Sequence, residues 1–265
     1  MSTSDGERRL IVLGGAAAGG NPGQGCSGYL VESGDTAVVL DLGAGTLPVL
    51  RQHCDPRALD GIVISHLHLD HVLDLLALRY YLAYAPGVTA TRIPLWLPPG
   101  GLAFMGRLAV ALEDDGESDD YFGDVFIMDE YDPHKSLGIG DLSIAFAPTV
   151  HYAPCWAMRI TSSSSGQSIG YSADTGPSAQ LQSLTEGCSV VIAEASVTVE
   201  GTESWAQRGH LTPEEAGEIA AQAKASTLVL THLWSAFDPE MFVRRAQSRT
   251  TATVVQARPG LTIPW

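Results

Sequence analysis

The chain of 265 residues is poor in positive charge: 15 lysines and arginines face 30 aspartates and glutamates, for a formal net charge of -15. Such a field repels polyanions, so the chain is not expected to hold long nucleic acid by its phosphates. Cysteine is scarce as well. Cys26, Cys54, Cys155 and Cys188 lie far apart with no Cys-x-x-Cys pair, which excludes a disulfide framework and a thiolate zinc site and leaves them as reduced, structural residues. No apolar run approaches the roughly 18 to 20 residues that span a bilayer, and the stretch from Met1 to Arg9 lacks the apolar centre of a signal peptide. A cytoplasmic protein that does not enter membranes is therefore expected. No Pro/Ser-rich linker or internal repeat divides the chain, so residues 1–265 read as one domain, and 45% hydrophobic residues suffice for a sizeable core.

What is present is strand-rich. Short runs with many Val and Ile residues recur at 10–13, 29–31, 37–40, 61–65, 93–97, 125–128, 142–146, 168–171, 189–193, 227–230 and 252–255. Helical patterns at 71–84, 101–113, 178–185, 212–225 and 238–247 are interleaved with them, so the class is α/β or α+β with helices covering sheets. The clearest helix start is Thr212-Pro213-Glu214-Glu215, a capping box with proline in the first turn, followed by the buried stripe Ala216, Ile219, Ala220 and Ala223. Thr161 to Ser165 reads as a turn joining two strands. The stretch 113–132 holds ten of the thirty acids and reads as a solvated surface loop, with a lid or partner contact as the alternative.

The chemistry concentrates in Ser65-His66-Leu67-His68-Leu69-Asp70-His71, directly after the apolar Gly61 to Ile64. Alternate residues of an extended segment face the same way, so His66, His68 and Asp70 can converge, and His71 joins them as the chain turns into a helix. At this chain's own His and Asp frequencies the pattern arises by chance about once in 2,000 such sequences, which favours a metal site over unrelated histidines. Three more candidates stand at or just beyond strand ends, where α/β proteins collect functional groups: His151, Asp174 in Tyr171-Ser-Ala-Asp-Thr-Gly176, and His232. His53 and His134 have no such context and read as surface residues.

Taken together, the Gly-rich segment Leu13 to Gly28, Val39-Leu-Asp-Leu-Gly43, the His66 to His71 motif, His151, Asp174, Glu194-Ala195-Ser196, Gly209-His210-Leu211-Thr212 and Thr231-His232 are arranged in a familiar order. By them the chain resembles the metallo-β-lactamase fold superfamily, in its ribonuclease Z and cyclic-nucleotide phosphodiesterase-like branch. The resemblance implies a four-layer αβ/βα sandwich holding two divalent metal ions. It implies that His66, His68 and His151 hold one ion, that Asp70, His71 and His232 hold the other, and that Asp174 bridges them. It also implies catalytic roles for Asp70, beside the metals, and for a His210–Glu194 dyad, in which His210 protonates the leaving oxygen and Glu194 fixes its tautomer.

Imidazole and carboxylate donors suit zinc first, with manganese or iron as alternatives. Cys155, near His151, reads as a buried hydrophobe and not a ligand. The loop Gly14 to Gly28 lacks the Lys-Ser/Thr of a P-loop and reads as a flexible rim of the site. Trp156, Trp205 and Trp234 flank the motifs as candidate pocket walls. Only 22 residues separate His151 from Asp174, without the long basic arm of tRNA-processing relatives. The expected activity is thus a metal-dependent hydrolase acting on a small phosphodiester such as a cyclic nucleotide, by water activated at the metals. Lactone, carboxylic-ester or sulfate-ester hydrolysis, ribonuclease Z-like 3′ processing of RNA, and a non-catalytic scaffold are the alternatives. The expected partner is a small-molecule substrate, and a homodimer is compatible with the sequence.

Overall fold

The computed structural model describes residues 8–87, 91–112, 121–197 and 208–265. Its first half runs β1 (Arg8–Gly14), β2 (Gly28–Ser33), β3 (Thr36–Leu42), α1 (Leu47–His53), β4 (Gly61–Val63), α2 (Leu69–Val72), α3 (Asp74–Tyr84), β5 (Ile93–Leu97), α4 (Gly101–Leu112) and β6 (Phe126–Glu130). Then come β7 (Leu137–Ile139), β8 (Leu142–Pro148), β9 (Trp156–Ser162), β10 (Ser168–Tyr171), α5 (Ala179–Thr185), β11 (Val190–Glu194), α6 (Pro213–Ala223), β12 (Thr227–Thr231), α7 (Pro239–Gln247), β13 (Thr253–Gln256) and β14 (Thr262–Pro264).

The strands form two seven-stranded sheets, ordered β14-β1-β2-β3-β4-β5-β6 and β13-β12-β11-β10-β9-β8-β7. Period-2 alternation sends each strand's side chains into two cores. Leu10, Val12, Val38 and Leu40 face the other sheet, where they meet Ile144, Met158, Ile160 and Ile192. Their neighbours Ile11, Leu13, Val39 and Leu42 face outward, against Leu47 and Leu50 of α1 and Leu75 and Leu78 of α3. On the far side of the second sheet, α5, α6 and α7 cover Val191, Ala193, Leu228 and Leu230. The molecule is therefore the expected αβ/βα sandwich, with helices outside and sheets inside.

The α6 start follows the sequence: Thr212 Oγ1 accepts from Glu215 N, and Glu215 Oε2 accepts from Thr212 N at 2.8 Å. Several elements do not. β7, β9, β14 and α1 were not anticipated. Within the acidic stretch, residues 113–120 lie outside the described residues, but 121–132 is no solvated loop. Tyr121, Phe122, Val125 and Phe126 are buried under α3 and α4, and β6 begins there. No helix among the described residues is long and apolar enough to cross a membrane.

Both sheets carry a run of parallel strands, β3 to β6 and β10 to β13. Their carboxyl ends open on the same end of the molecule, and the chemistry-bearing residues follow them.

Candidate metal centre

β4 ends into the His66–His71 motif, β8 leads to His151, β10 to Asp174, and β12 to His232. These residues form two groups whose donor atoms lie within 4.8 Å of one another: His66, His68, His151 and Asp174, and Asp70, His71, Asp174 and His232. Asp174 belongs to both. In the first group, His68 Nδ1 is 3.1 Å from both His66 Nε2 and His151 Nε2, and Asp174 Oδ2 is 3.8 and 3.9 Å from those two nitrogens. In the second, Asp70 Oδ2 is 3.1 Å from His232 Nε2 and 3.5 Å from His71 Nε2, and Asp174 is 3.3 and 3.4 Å from the same nitrogens. Bonds of about 2.1 Å to a tetrahedral ion put its donors about 3.4 Å apart, so both groups have the span a metal ion requires.

The hydrogen bonds around the histidines point the same way. His71 Nδ1 donates to Asp41 Oδ2 at 2.7 Å, and His151 Nδ1 donates to Gly209 O at 3.0 Å. The Ser65 hydroxyl donates to Asp41 and so accepts from His66 Nδ1 at 3.0 Å. The Ser196 hydroxyl donates to Glu194 and so accepts from His232 Nδ1 at 2.6 Å. Each of these four rings therefore turns Nε2 toward the space at the centre, the orientation that metal-ligating histidines adopt. Buried His71 Nε2 has no hydrogen-bond partner, an orphan ligand atom that an ion would satisfy. Burial, then the charge of His71, holds His66 well below the usual imidazole range, and burial lowers His151, so both present lone pairs. At Asp174 burial acts to raise the carboxyl, but the imidazoles of His232 and His71 outweigh it and keep it ionised.

Two supporting residues had escaped the sequence reading as functional. Asp41 closes β3 fully buried, at φ 55°, and accepts from Ser65 N, Ser65 Oγ, His71 Nδ1 and Tyr171 Oη at 2.6 to 2.7 Å. Its signal was an acid inside the apolar run Val39 to Leu42, since a buried carboxylate requires such partners. Ser196 had no signal beyond its place after Glu194.

The dyad pair also comes together. His210 Nδ1 lies 2.8 Å from Glu194 Oε1, which accepts from Thr175 N as well, while Oε2 accepts from Ser196 N and Oγ. His210 stacks on His232 and meets His151 edge-on. Burial would lower the His210 imidazole, but Glu194 outweighs it and lifts the group to about 9. Arg208, ion-paired with Glu215, donates Nε to His210 O at 3.0 Å and fixes the backbone there.

A cavity of about 300 Å³ opens above these groups, with Ala18, Tyr152, Val197 and Trp234 completing its wall. The Gly-rich loop does form the rim, through Ala18, but it is packed and not loose: a Cβ at Gly14 would meet Cys26 O at 2.1 Å, and one at Gly25 would meet the Gly45 backbone at 2.7 Å. Cys155 is buried between the sheets, and Trp156 packs against that core. Trp205 lies outside the described residues, and His53 and His134 are exposed.

Residues 36–233 match the beta-lactamase superfamily domain. The chain is 34% identical over 226 residues to the uncharacterized protein Rv1339 of Mycobacterium tuberculosis, covering 85% of this chain and 80% of that protein. It is 28% identical over 209 residues to the probable metallo-hydrolase YhfI of Bacillus subtilis, covering 78% and 79%. The crystal structure of YhfI, a metallo-beta-lactamase fold protein, superposes with a TM-score of 0.83 at 24% identity over 98% of this chain and 100% of that one. Unliganded yeast PDE1 superposes at 0.70 and 12% identity over 98% of this chain and 100% of its own. The chain belongs to the beta-lactamase superfamily and is a hydrolase of the metallo-β-lactamase fold.

Proposed function

We propose that the site holds two divalent metal ions, zinc by its imidazole and carboxylate donors, with manganese or iron as alternatives, and that it hydrolyses a small phosphodiester such as a cyclic nucleotide. His66, His68 and His151 hold one ion, Asp70, His71 and His232 the other, with Asp174 between them. A metal pair in such a position acidifies water and neutralises charge on the phosphoryl oxygens.

The observation that carries the reading is the Glu194–His210 pair beside two four-donor groups that share one carboxylate. Glu194 accepts the Nδ1 proton of His210, which leaves Nε2 to deliver a proton to the departing oxygen. An alkoxide such as the ribose oxygen of a cyclic nucleotide needs that proton to depart; a p-nitrophenolate does not. Asp41, Ser65 and Ser196 hold the ligand rings in the tautomer they need. The net charge of -15 supports a small substrate over tRNA. A cytoplasmic location and a single domain spanning the chain belong to the same reading.

The test is elemental analysis of metal-loaded protein, followed by assays on cyclic AMP, bis-p-nitrophenyl phosphate and a lactone panel. About two ions per chain and diester turnover are expected. A stoichiometry fixed at one, or turnover of lactones alone, overturns the reading.

A further inference from the structure

The cavity wall has two exposed aromatic rings that metal binding and proton transfer do not use. Tyr152 is 63% exposed and Trp234 is 40% exposed, and both line the cavity. Both are held in place. The Tyr152 ring rests on Gly209 so closely that a Cβ there would meet it at 2.6 Å, and it stands against His151 and His210 with ring centroids 5.3 and 5.8 Å away.

Trp234 is fixed from both sides by the Gly-rich loop. Before it, Leu233 N donates to Gly15 O, and Leu233 O accepts from Ala17 N and Asn21 Nδ2; after it, Ser235 N donates to Asn21 Oδ1 at 2.8 Å. A residue exposed to water but clamped along its backbone has little backbone entropy left to lose on binding.

The rest of the wall narrows the ligand. Among the described residues no lysine or arginine lines the cavity, so apart from the His210 imidazole no side-chain cation is present for a second phosphate. Apart from the ligand set, the dyad histidine and Ser196, whose hydroxyl is already engaged, the wall offers Ala18, Val197 and the two rings. Among the described residues the wall presents aromatic rings and no edge-reading amide or guanidinium group.

We infer that Tyr152 and Trp234 form a stacking subsite for a nucleobase carried on a singly charged phosphodiester, recognised by the face of its ring and not by its edge. The inference rests on the phosphodiesterase reading above. Stacking is tolerant of base identity because every base presents a π-face. The enzyme therefore accepts purine and pyrimidine cyclic nucleotides alike and disfavours nucleoside di- and triphosphates.

The experiment compares cyclic AMP, GMP, CMP and UMP with the abasic cyclic ribose phosphate, using metal-loaded wild type, Tyr152→Leu, Trp234→Leu and the conservative Tyr152→Phe and Trp234→Phe. In wild type the KM of the abasic compound should exceed that of cyclic AMP by about tenfold or more, the scale of base–aromatic stacking. That gap should shrink in the Leu variants and return in the Phe variants, and the four bases should differ by less than about tenfold in kcat/KM. Adenosine monophosphate should quench tryptophan fluorescence in wild type and lose most of that effect in Trp234→Leu. A gap that survives both Leu substitutions overturns the inference while leaving diester hydrolysis intact, as does strong selection for one base. Failure to turn over any diester, the abasic compound and bis-p-nitrophenyl phosphate included, overturns the underlying reading and the subsite with it.

Discussion

The hydroxyl of Ser196 lies 2.6 Å from Nδ1 of His232. Because that hydroxyl also donates to Glu194 Oε2 at 2.6 Å, one small side chain ties the Glu194–His210 pair to a ring of the second donor group. The tie is buried, and nothing else bonds Nδ1 of His232 among the described residues.

Ser196→Ala leaves His232 Nδ1 without its acceptor and frees the ring to change tautomer. Loss of such an outer partner typically costs about 10 to 100-fold in metal affinity, and the loss should fall on the Asp70, His71 and His232 group. Competition titration with a chelator reads it directly. Ser196→Thr, which keeps the hydroxyl, should restore affinity; equal binding by wild type and the Ala variant refutes the role.

Asp174→Ala should disturb both ions, since the carboxylate faces His66 and His151 on one side and His71 and His232 on the other. His151→Ala should weaken the first ion and His232→Ala the second. Elemental analysis of the three variants distinguishes these patterns, and uniform, negligible losses would mean that other residues hold the ions.

His210→Ala should keep fold and metals and lose about 10² to 10⁴ in turnover of a cyclic nucleotide, whose leaving alkoxide must be protonated. Bis-p-nitrophenyl phosphate, with a leaving group that departs unaided, should suffer much less, and Glu194→Gln should give a milder form of the same pattern. Loss of metal in His210→Ala would make it a ligand instead. Equal slowing of both substrates would assign it to binding.

At the end of the inter-sheet contact formed by the β7–β8 turn, Asp141 accepts from the hydroxyls of Ser33 and Ser162 at 2.7 Å and from Ser164 N at 2.9 Å, linking β2 of one sheet to β9 of the other. The Ser33 and Ser162 hydrogen bonds hold its carboxyl below the ordinary value of 3.8. A depressed folded-state pKa gives stability that is present above the unfolded value and lost as pH falls through the folded one. Asp141→Ala should therefore lower Tm at neutral pH, and the deficit relative to wild type should shrink as pH drops below 3.8. Thermal melts across that range check it; a deficit independent of pH would assign the loss to packing alone.

Much of the fold was legible locally. The capping box at Thr212, the turn before β10 and most parallel strands announce themselves because each depends on neighbours within a few residues. β9 did not, since Arg159 interrupts its apolar pattern. Only in the folded chain does that guanidinium leave the strand to bond Leu184 O and Glu186 O at the carboxyl end of α5.

The site divides in the same way. Sequence alone determined that His66, His68, Asp70 and His71 sit together, because strand and helix geometry places residues one to five apart on one end of β4. It did not decide what orients them. Asp41 reaches His71 across 30 positions, Tyr171 reaches Asp41 across 130, and His232 meets Asp70 across 162. Those distances are fixed by which strand lies beside which and by how the two sheets pack. The tautomers, the shared position of Asp174 and the two clamped aromatic rings are properties of the tertiary structure, because a buried hydrogen bond between distant residues exists only once the core that excludes water from it has formed.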